Sequence, residues 1–177
     1  MTKENFRKFC FKKLQVCSKI GKIKKDKTIY YKILNIIDMY EPKTILLYIP
    51  LEAEVDIKPL INTLRKRDNI DVYVPFIKGK SFVPVKYRLP LQKKKFGIKE
   101  PNFSSFKNNM IPFDMVVVPI IGIDNTFRRV GFGAGMYDRY FETLKKRPIT
   151  IFTQLKLCYS NSTVTNKYDI KPDYIIT

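Results

Sequence analysis

Histidine is absent from this 177-residue chain. That excludes Ser-His-Asp and Cys-His catalysis and imidazole-based metal sites, and it removes the usual general base near neutral pH. Any chemistry must run on carboxylates, lysines, arginines, tyrosines, backbone amides or a bound metal. Cysteine is scarce as well: Cys10, Cys17 and Cys158 are odd in number and lack any C-x-x-C spacing. This pattern argues against a zinc site or a disulfide framework and predicts reduced thiols in the core. No apolar run has the length of a membrane span, the strongest, Met115 to Ile123, being interrupted by Pro119 and suited to a buried strand. Lysine and arginine recur through the first helix-like stretch, so there is no secretory apolar segment, and a cytoplasmic location is expected.

Acidic residues are also few, 16 against 34 Lys plus Arg, for a net charge of +18. Such an excess attracts polyanions of any kind, from nucleic acid to nucleotides and polyglutamylated substrates. Only eight of the 34 are arginine, and the plain reading is a solvated lysine-rich surface. Apolar residues make up 45% of the chain, enough for one domain with a genuine core, and residues 1–177 are read as a single unit.

Residues 2 to 20 predict an amphipathic helix, with Phe6, Phe9, Cys10, Leu14 and Cys17 at three- and four-residue spacing and Gly21 as its stop. Lys3 and Arg7 are four apart and share one face of it. Asp26 reads as the cap of a second helix that ends at Pro42. Thr44 to Ile49 reads as a buried strand, followed by a loop through Glu54 to a helix capped by Asp56 with Pro59 in its first turn. Further strands are expected at 71–76, 80–85, 114–121, 149–152 and 173–176, and 87–112 reads as a long polar loop. Strands alternating with helices predict an α/β fold: three layers, Rossmann-like, with a mostly parallel central sheet and helices on both faces. Ligands of such sheets bind beyond the carboxyl ends of the strands, where the Glu54 loop and the segment after residue 128 should both lie.

That segment is Arg128-Arg129-Val130-Gly131-Phe132-Gly133-Ala134-Gly135-Met136-Tyr137-Asp138. Alternating glycines ahead of a helix let backbone N–H groups approach a phosphate, the arginines neutralise it, and Asp138 could hold the accompanying metal. It is not a Walker A loop, since no Gly-Lys-Ser/Thr follows, and its third glycine comes one residue early for a dinucleotide fingerprint. On pattern alone, a phosphate cradle and a merely tight turn remain open.

The run from Asp114 (D-M-V-V-V-P-I-I-G-I-D, then R-V-G-F-G-A-G-M-Y-D-R-Y) resembles the signature of the 5-formyltetrahydrofolate cyclo-ligase family. Lys3-x-x-x-Arg7, Glu54-Val55-Asp56, Phe96-Gly97-Ile98 with Glu100-Pro101, and Asp173-Tyr174-Ile175-Ile176-Thr177 match in the same order. The resemblance implies ATP- and Mg²⁺-dependent cyclisation of 5-formyltetrahydrofolate to 5,10-methenyltetrahydrofolate, with the formyl oxygen phosphorylated on the way. It implies ATP contacts at Lys3, Arg7 and Arg129 through Tyr137, catalytic roles for Arg129 and Glu54, folate contacts at Ile49 and Glu54, and Mg²⁺ at Asp138 and Asp173, with Asp169 as the alternative to Asp173. The expected partners are ATP and a reduced folate, polyglutamylated or not, with no membrane or nucleic acid and a monomeric chain.

Four positions depart from the family pattern: Phe127 where glycine is usual, Val130 for leucine, Met136 for an aromatic residue and Ile123 for phenylalanine. The loss of glycine at 127 predicts a different turn before the loop, and Met136 removes a ring that could stack on a ligand. The competing reading is a basic nucleic-acid-binding module without catalysis, motivated by the charge; against it, no such motif is present. A relative with the same fold acting on another substrate is the third.

Overall fold

The computed structural model describes residues 1–88 and 111–177, together with the backbone of 91–93 and 99–101. Phe96-Gly97-Ile98 therefore lies outside the described residues. In chain order the elements are α1 (Lys3–Lys19), α2 (Lys22–Tyr40), β1 (Thr44–Leu46), α3 (Lys58–Leu64), β2 (Asp71–Lys78) and β3 (Ser81–Lys86). They continue with β4 (Leu91–Lys93), β5 (Lys99–Pro101), β6 (Met115–Pro119), β7 (Gly122–Asp124), β8 (Arg129–Val130), α4 (Met136–Glu142), β9 (Ile149–Thr153), β10 (Tyr159–Ser160) and β11 (Tyr174–Ile176).

The central sheet has the order β11-β9-β6-β1-β2-β3, parallel throughout except for the antiparallel β2–β3 hairpin at one edge. Alternation along its strands divides the core in two. Ile45, Leu47, Met115 and Val117 pack with the buried faces of α1, α2 and α3. Leu46, Val116, Val118 and Phe152 face the other way, toward Tyr137 and Tyr140 of α4. A period of two in strands covered on both sides is what makes them continuously apolar, and the result is the three-layer α/β fold expected.

Several boundaries move for local reasons. Asp26 does not cap α2; Gly21 does, in a left-handed conformation (φ 64°). Asp26 instead sits one turn inside the helix, paired with Lys22 at 2.7 Å and accepting the Asp56 backbone N–H at 3.0 Å. It thus ties the Glu54 loop to α2. The N-cap of α3 is Ile57 rather than Asp56, whose carboxylate accepts the Lys58 N–H at 3.0 Å. The expected 87–112 loop contains the antiparallel pair β4–β5. A second small sheet has the order β10-β7-β8, and its strand β8 leads directly into the glycine segment.

Cys10 and Cys158 are not reduced thiols: they form a disulfide, with Cα atoms 5.7 Å apart, and only Cys17 is free. Cys10 lies on the inward face of α1, and Cys158 immediately precedes β10, beneath that face. The expected different turn at residue 127 is also corrected. Phe127 adopts φ 59°, the left-handed region in which glycine is at ease. The glycine-type turn is kept, at a cost for a side-chain-bearing residue of roughly 1–2 kcal/mol. Its exposed ring leans on Tyr159, centroids 6.4 Å apart.

Candidate active site

Strand β8 delivers Arg129 and Val130 to the glycine segment, and Gly135, at φ 60°, is the N-cap of α4. Arg129 is 5% exposed. Its Nη1 reaches Asp138 Oδ2 at 3.1 Å, its Nε points to the Pro119 carbonyl at 3.4 Å, and its guanidinium carbon lies 5.2 Å from the Tyr137 ring centroid. Gly131 packs directly on this guanidinium, so a Cβ there would overlap it. Close approach, not backbone freedom, makes that position glycine. Gly133 is held at φ 104°, which side-chain-bearing residues avoid, and faces the Arg7 guanidinium. Arg7 in turn donates from Nε to the Gly131 carbonyl at 2.8 Å.

Lys3, one turn before Arg7 on α1, pairs with Asp169 at 2.5 Å. The other Asp169 oxygen accepts the Asn166 N–H at 2.8 Å, closing a tight turn that presents the acid to the same cavity. Asp138 also receives the Ile170 N–H at 3.4 Å. The cavity has a volume of about 200 Å³ and is lined by Lys3, Arg7, Arg129, Asp138 and Asp169 around the glycines. Lys3 and Arg129 are each paired with one of its carboxylates, while Arg7 is held by the Gly131 carbonyl. Among the described residues no three metal-ligating side chains cluster. The pair Asp138 and Asp169 fits Mg²⁺, which commonly takes one or two carboxylates and completes its shell with substrate phosphates and water.

Asp173 is elsewhere. Its carboxylate pairs with Arg147 at 3.2 Å and accepts the Thr150 N–H at 2.8 Å. Both contacts lie where β9 and β11 begin, at the amino ends of the strands, whereas the glycine loop lies beyond carboxyl ends. Of the two aspartates near the terminus, Asp169 is the one that joins Asp138.

Glu54 lies next to this cavity and is 8% exposed. It shares an apolar pocket with Tyr48, Ile49, Pro119, Met136 and Tyr137. Its Oε2 accepts the Leu51 N–H at 2.8 Å. Burial pushes its carboxyl up to about 7, against the opposing pull of that N–H, of Arg129 and of Lys22. Burial and the neighbouring Glu54 charge push the Tyr137 phenol well above its ordinary value. Ile49 and Met136 both line this pocket, Met136 having been expected among the ATP contacts, while Val130 and Ile123 are core residues.

One further residue is needed to hold the cavity together and was not singled out from the sequence. Asp124 is fully buried and accepts five hydrogen bonds, from Thr126 N (3.0 Å) and Oγ1 (2.7 Å), Val164 N (3.0 Å), and Thr165 N (2.9 Å) and Oγ1 (2.5 Å). Burial alone would raise its pKa, but the Thr165 and Thr126 donors outweigh it and hold the carboxyl far below the usual range. It joins the turn before Arg129 to the segment that leads into Asn166 and Asp169. Asp124→Asn keeps the shape but cannot accept all five bonds, so a loss of about 2–3 kcal/mol is expected. Urea denaturation checks the stability, and nucleotide titration should show weakened binding; unchanged values for both would refute this role.

The whole chain, residues 1–177, matches the model of the 5-formyltetrahydrofolate cyclo-ligase family. A protein of Haemophilus influenzae named 5-formyltetrahydrofolate cyclo-ligase is 28% identical over 141 residues, covering 75% of this chain and 72% of that one. Among solved structures, a 5,10-methenyltetrahydrofolate synthetase of Aquifex aeolicus superposes with a TM-score of 0.79 at 23% identity, covering 99% of this chain and 89% of the other. One from Mycoplasma pneumoniae gives 0.71 at 22% identity, covering 99% and 98%. At those identities the structural likeness carries the fold, and the family match carries the class. The chain belongs to the 5-formyltetrahydrofolate cyclo-ligase family, a family of ligases.

Proposed function

We propose that the protein converts 5-formyltetrahydrofolate to 5,10-methenyltetrahydrofolate with hydrolysis of ATP to ADP and phosphate. One observation carries this reading: a small cavity lined by Lys3, Arg7, Arg129, Asp138 and Asp169 adjoins an apolar pocket holding a buried carboxyl, Glu54. The first suits a polyphosphate and the second a flat heterocycle. In the reaction the folate formyl oxygen attacks the γ-phosphorus of ATP and ADP leaves. N10 then adds to the activated formyl carbon, loses its proton, and phosphate departs as the five-membered ring closes.

Such chemistry needs positioning and charge neutralisation rather than an imidazole base. Lys3, Arg7 and Arg129 supply the countercharge, and the backbone of Val130 to Tyr137 follows the phosphates, with Phe132 and Ala134 alternating between the glycines. Asp138 and Asp169 would hold Mg²⁺, which supplies Lewis-acid polarisation of the phosphoryl oxygens. Substrate binding would then be an exchange of partners: Lys3 and Arg129 would leave Asp169 and Asp138 for phosphate oxygens, freeing the two carboxylates to hold the metal, while Arg7 adds a third cation that no carboxylate neutralises. Glu54 orients the formyl-bearing nitrogen, and a carboxyl titrating near neutrality can take the proton that N10 loses. Ile49 and Met136 pack against the pterin.

The test is a cyclisation assay. Purified protein with ATP, Mg²⁺ and 5-formyltetrahydrofolate should develop the absorbance of the methenyl product, with one ADP per turnover. Neither product nor ADP at high enzyme concentration would sink the reading.

A further inference from the structure

From Ile45 to Ile49 the side chains carry a single polar atom, the Tyr48 hydroxyl. Phenylalanine would fill the same core space, so the hydroxyl needs its own explanation. Tyr48 is 3% exposed, and a phenol buried that deeply must find partners for its O–H. It has two: the Val55 carbonyl at 2.9 Å and Thr153 Oγ1 at 3.0 Å. A carbonyl only accepts, so the phenol's one proton goes to Val55, and the Thr153 hydroxyl donates to the phenol oxygen. Val55 and Thr153 are buried as well.

We propose that Tyr48 is a positioning residue for Glu54, holding the loop that carries this carboxyl in its place over the apolar pocket; the proposal rests on the cyclo-ligase reading above, in which Glu54 takes the N10 proton. Val55 directly follows Glu54, so the Tyr48–Val55 bond clasps together the two ends of segment 49–54. Inside that segment Glu54 closes a turn on Leu51: its carboxylate accepts the Leu51 N–H at 2.8 Å, and its own N–H donates to the Leu51 carbonyl at 3.1 Å. Those bonds set the shape of the turn but not where it sits on the sheet. Thr153 supplies that reference. It ends β9, which lies two strands from β1 across β6, and its carbonyl accepts the Ile120 N–H at 3.2 Å. The Asp56 N–H on Asp26 is a second anchor, from α2.

The groups facing Glu54 come from several elements. Arg129 of β8 and Lys22 of α2 favour its ionised form, and burial opposes them and prevails. Tyr137 of α4 and Tyr48 itself stay neutral, since burial first and the Glu54 charge second push both phenols up; Asp26 acts on Tyr48 in the same sense. Burial is thus the dominant influence on Glu54, and it is the one that the position of the loop controls. A loop freed from Tyr48 admits water to the carboxyl and lets it fall back toward the ordinary carboxylate range.

Tyr48→Phe keeps the ring and removes the clasp. Its kcat should fall about tenfold, the scale of one net hydrogen bond, with the KM for ATP in place and the acidic limb of the rate profile moved down by about one pH unit. Thr153→Val, nearly isosteric, removes the reference bond alone and should move kcat and the limb the same way, less far. In a Glu54→Gln background the loss from Tyr48→Phe should disappear, because the phenol acts through the carboxyl. Losses that multiply, or a limb that stays where it is, would overturn the proposal. So would a loss of stability to urea with no other change, which would leave Tyr48 as packing. Carbon-13 carboxyl NMR separates this from the reaction itself. The Glu54 resonance, identified by its absence from Glu54→Gln, should titrate about one unit lower in Tyr48→Phe whether or not product forms. A resonance that moves in a protein without turnover upholds the positioning and removes the cyclo-ligase reading; turnover with an unmoved resonance removes the positioning role alone.

Discussion

Arg129→Ala is expected to lower kcat/KM for ATP by at least about 10²- to 10³-fold, the usual scale for removing one pre-aligned group that stabilises transition-state charge. Arg129 is buried, faces Asp138, carries Gly131 on its guanidinium and acts on Glu54 in the adjoining pocket. Its loss also removes the floor on which the glycine loop rests and leaves the Asp138 carboxylate, 17% exposed, without its cation. A stability loss on the order of 3 kcal/mol follows from breaking a pair of this kind. Arg129→Lys separates the two effects. A lysine keeps the charge but not the planar fork, so stability should largely return while the rate stays depressed. Nucleotide affinity by fluorescence titration and steady-state kinetics read the outcome. Unaltered ATP affinity in Arg129→Ala would remove Arg129 from the phosphate site.

Glu54→Gln is expected to lower turnover by about 10²-fold or more, within the range for a lost proton-transfer group, and at the same time to stabilise the fold above neutrality. The opposite signs come from one fact, a carboxyl whose pKa in the fold, about 7, exceeds its ordinary 4.5. Between those two values the folded protein holds the Glu54 proton more tightly than the unfolded chain does. Its contribution is therefore fully present below pH 4.5, falls as pH rises toward 7, and is absent above, for a total of up to about 3 kcal/mol. Glutamine still accepts the Leu51 N–H and never ionises. Its stability advantage over the wild type should grow by roughly 2–3 kcal/mol between pH 5 and pH 8. Denaturant titrations at both values check this, and parallel pH dependences would refute it. In kinetics, the acidic limb of the wild-type profile near pH 7 should vanish in the variant.

Helices and principal strands could be read from the chain because their signals are local. The spacing of Phe6, Cys10 and Leu14 marks one face of α1, and Val116 to Val118 mark a strand covered on both sides. The short strands β7, β8 and β10 carry no such signal. Residues Tyr159–Ser160 form a strand only because β7 offers them a ladder, in a stretch whose Ser, Asn and Thr content reads as turn. The disulfide was missed for a related reason: spacing says nothing about approach between residues 148 positions apart. At the site, Lys3 and Arg7 read by themselves as an ordinary basic helix face that only the family resemblance singles out, whereas the glycines were readable because close backbone approach has few residue solutions. Choosing between neighbouring acids was not. Glu52 and Glu54 share a loop, yet only Glu54 turns inward, and Asp169 rather than Asp173 reaches the cavity. Those choices depend on which end of a strand each residue occupies, a property of the assembled sheet.

The Cys10–Cys158 bridge makes most of the chain a covalent ring, closed between α1 and the start of β10. One peptide-bond cut anywhere from Phe11 to Leu157 would open that ring without releasing a fragment. The two pieces would migrate as one species on a denaturing gel until a thiol reductant parted them. After such a cut, α1 with Lys3 and Arg7 would still be bonded to the piece bearing Asn166 and Asp169. Two walls of the phosphate cavity that meet only late in the sequence are thereby leashed to each other through sulfur, independently of the sheet between them.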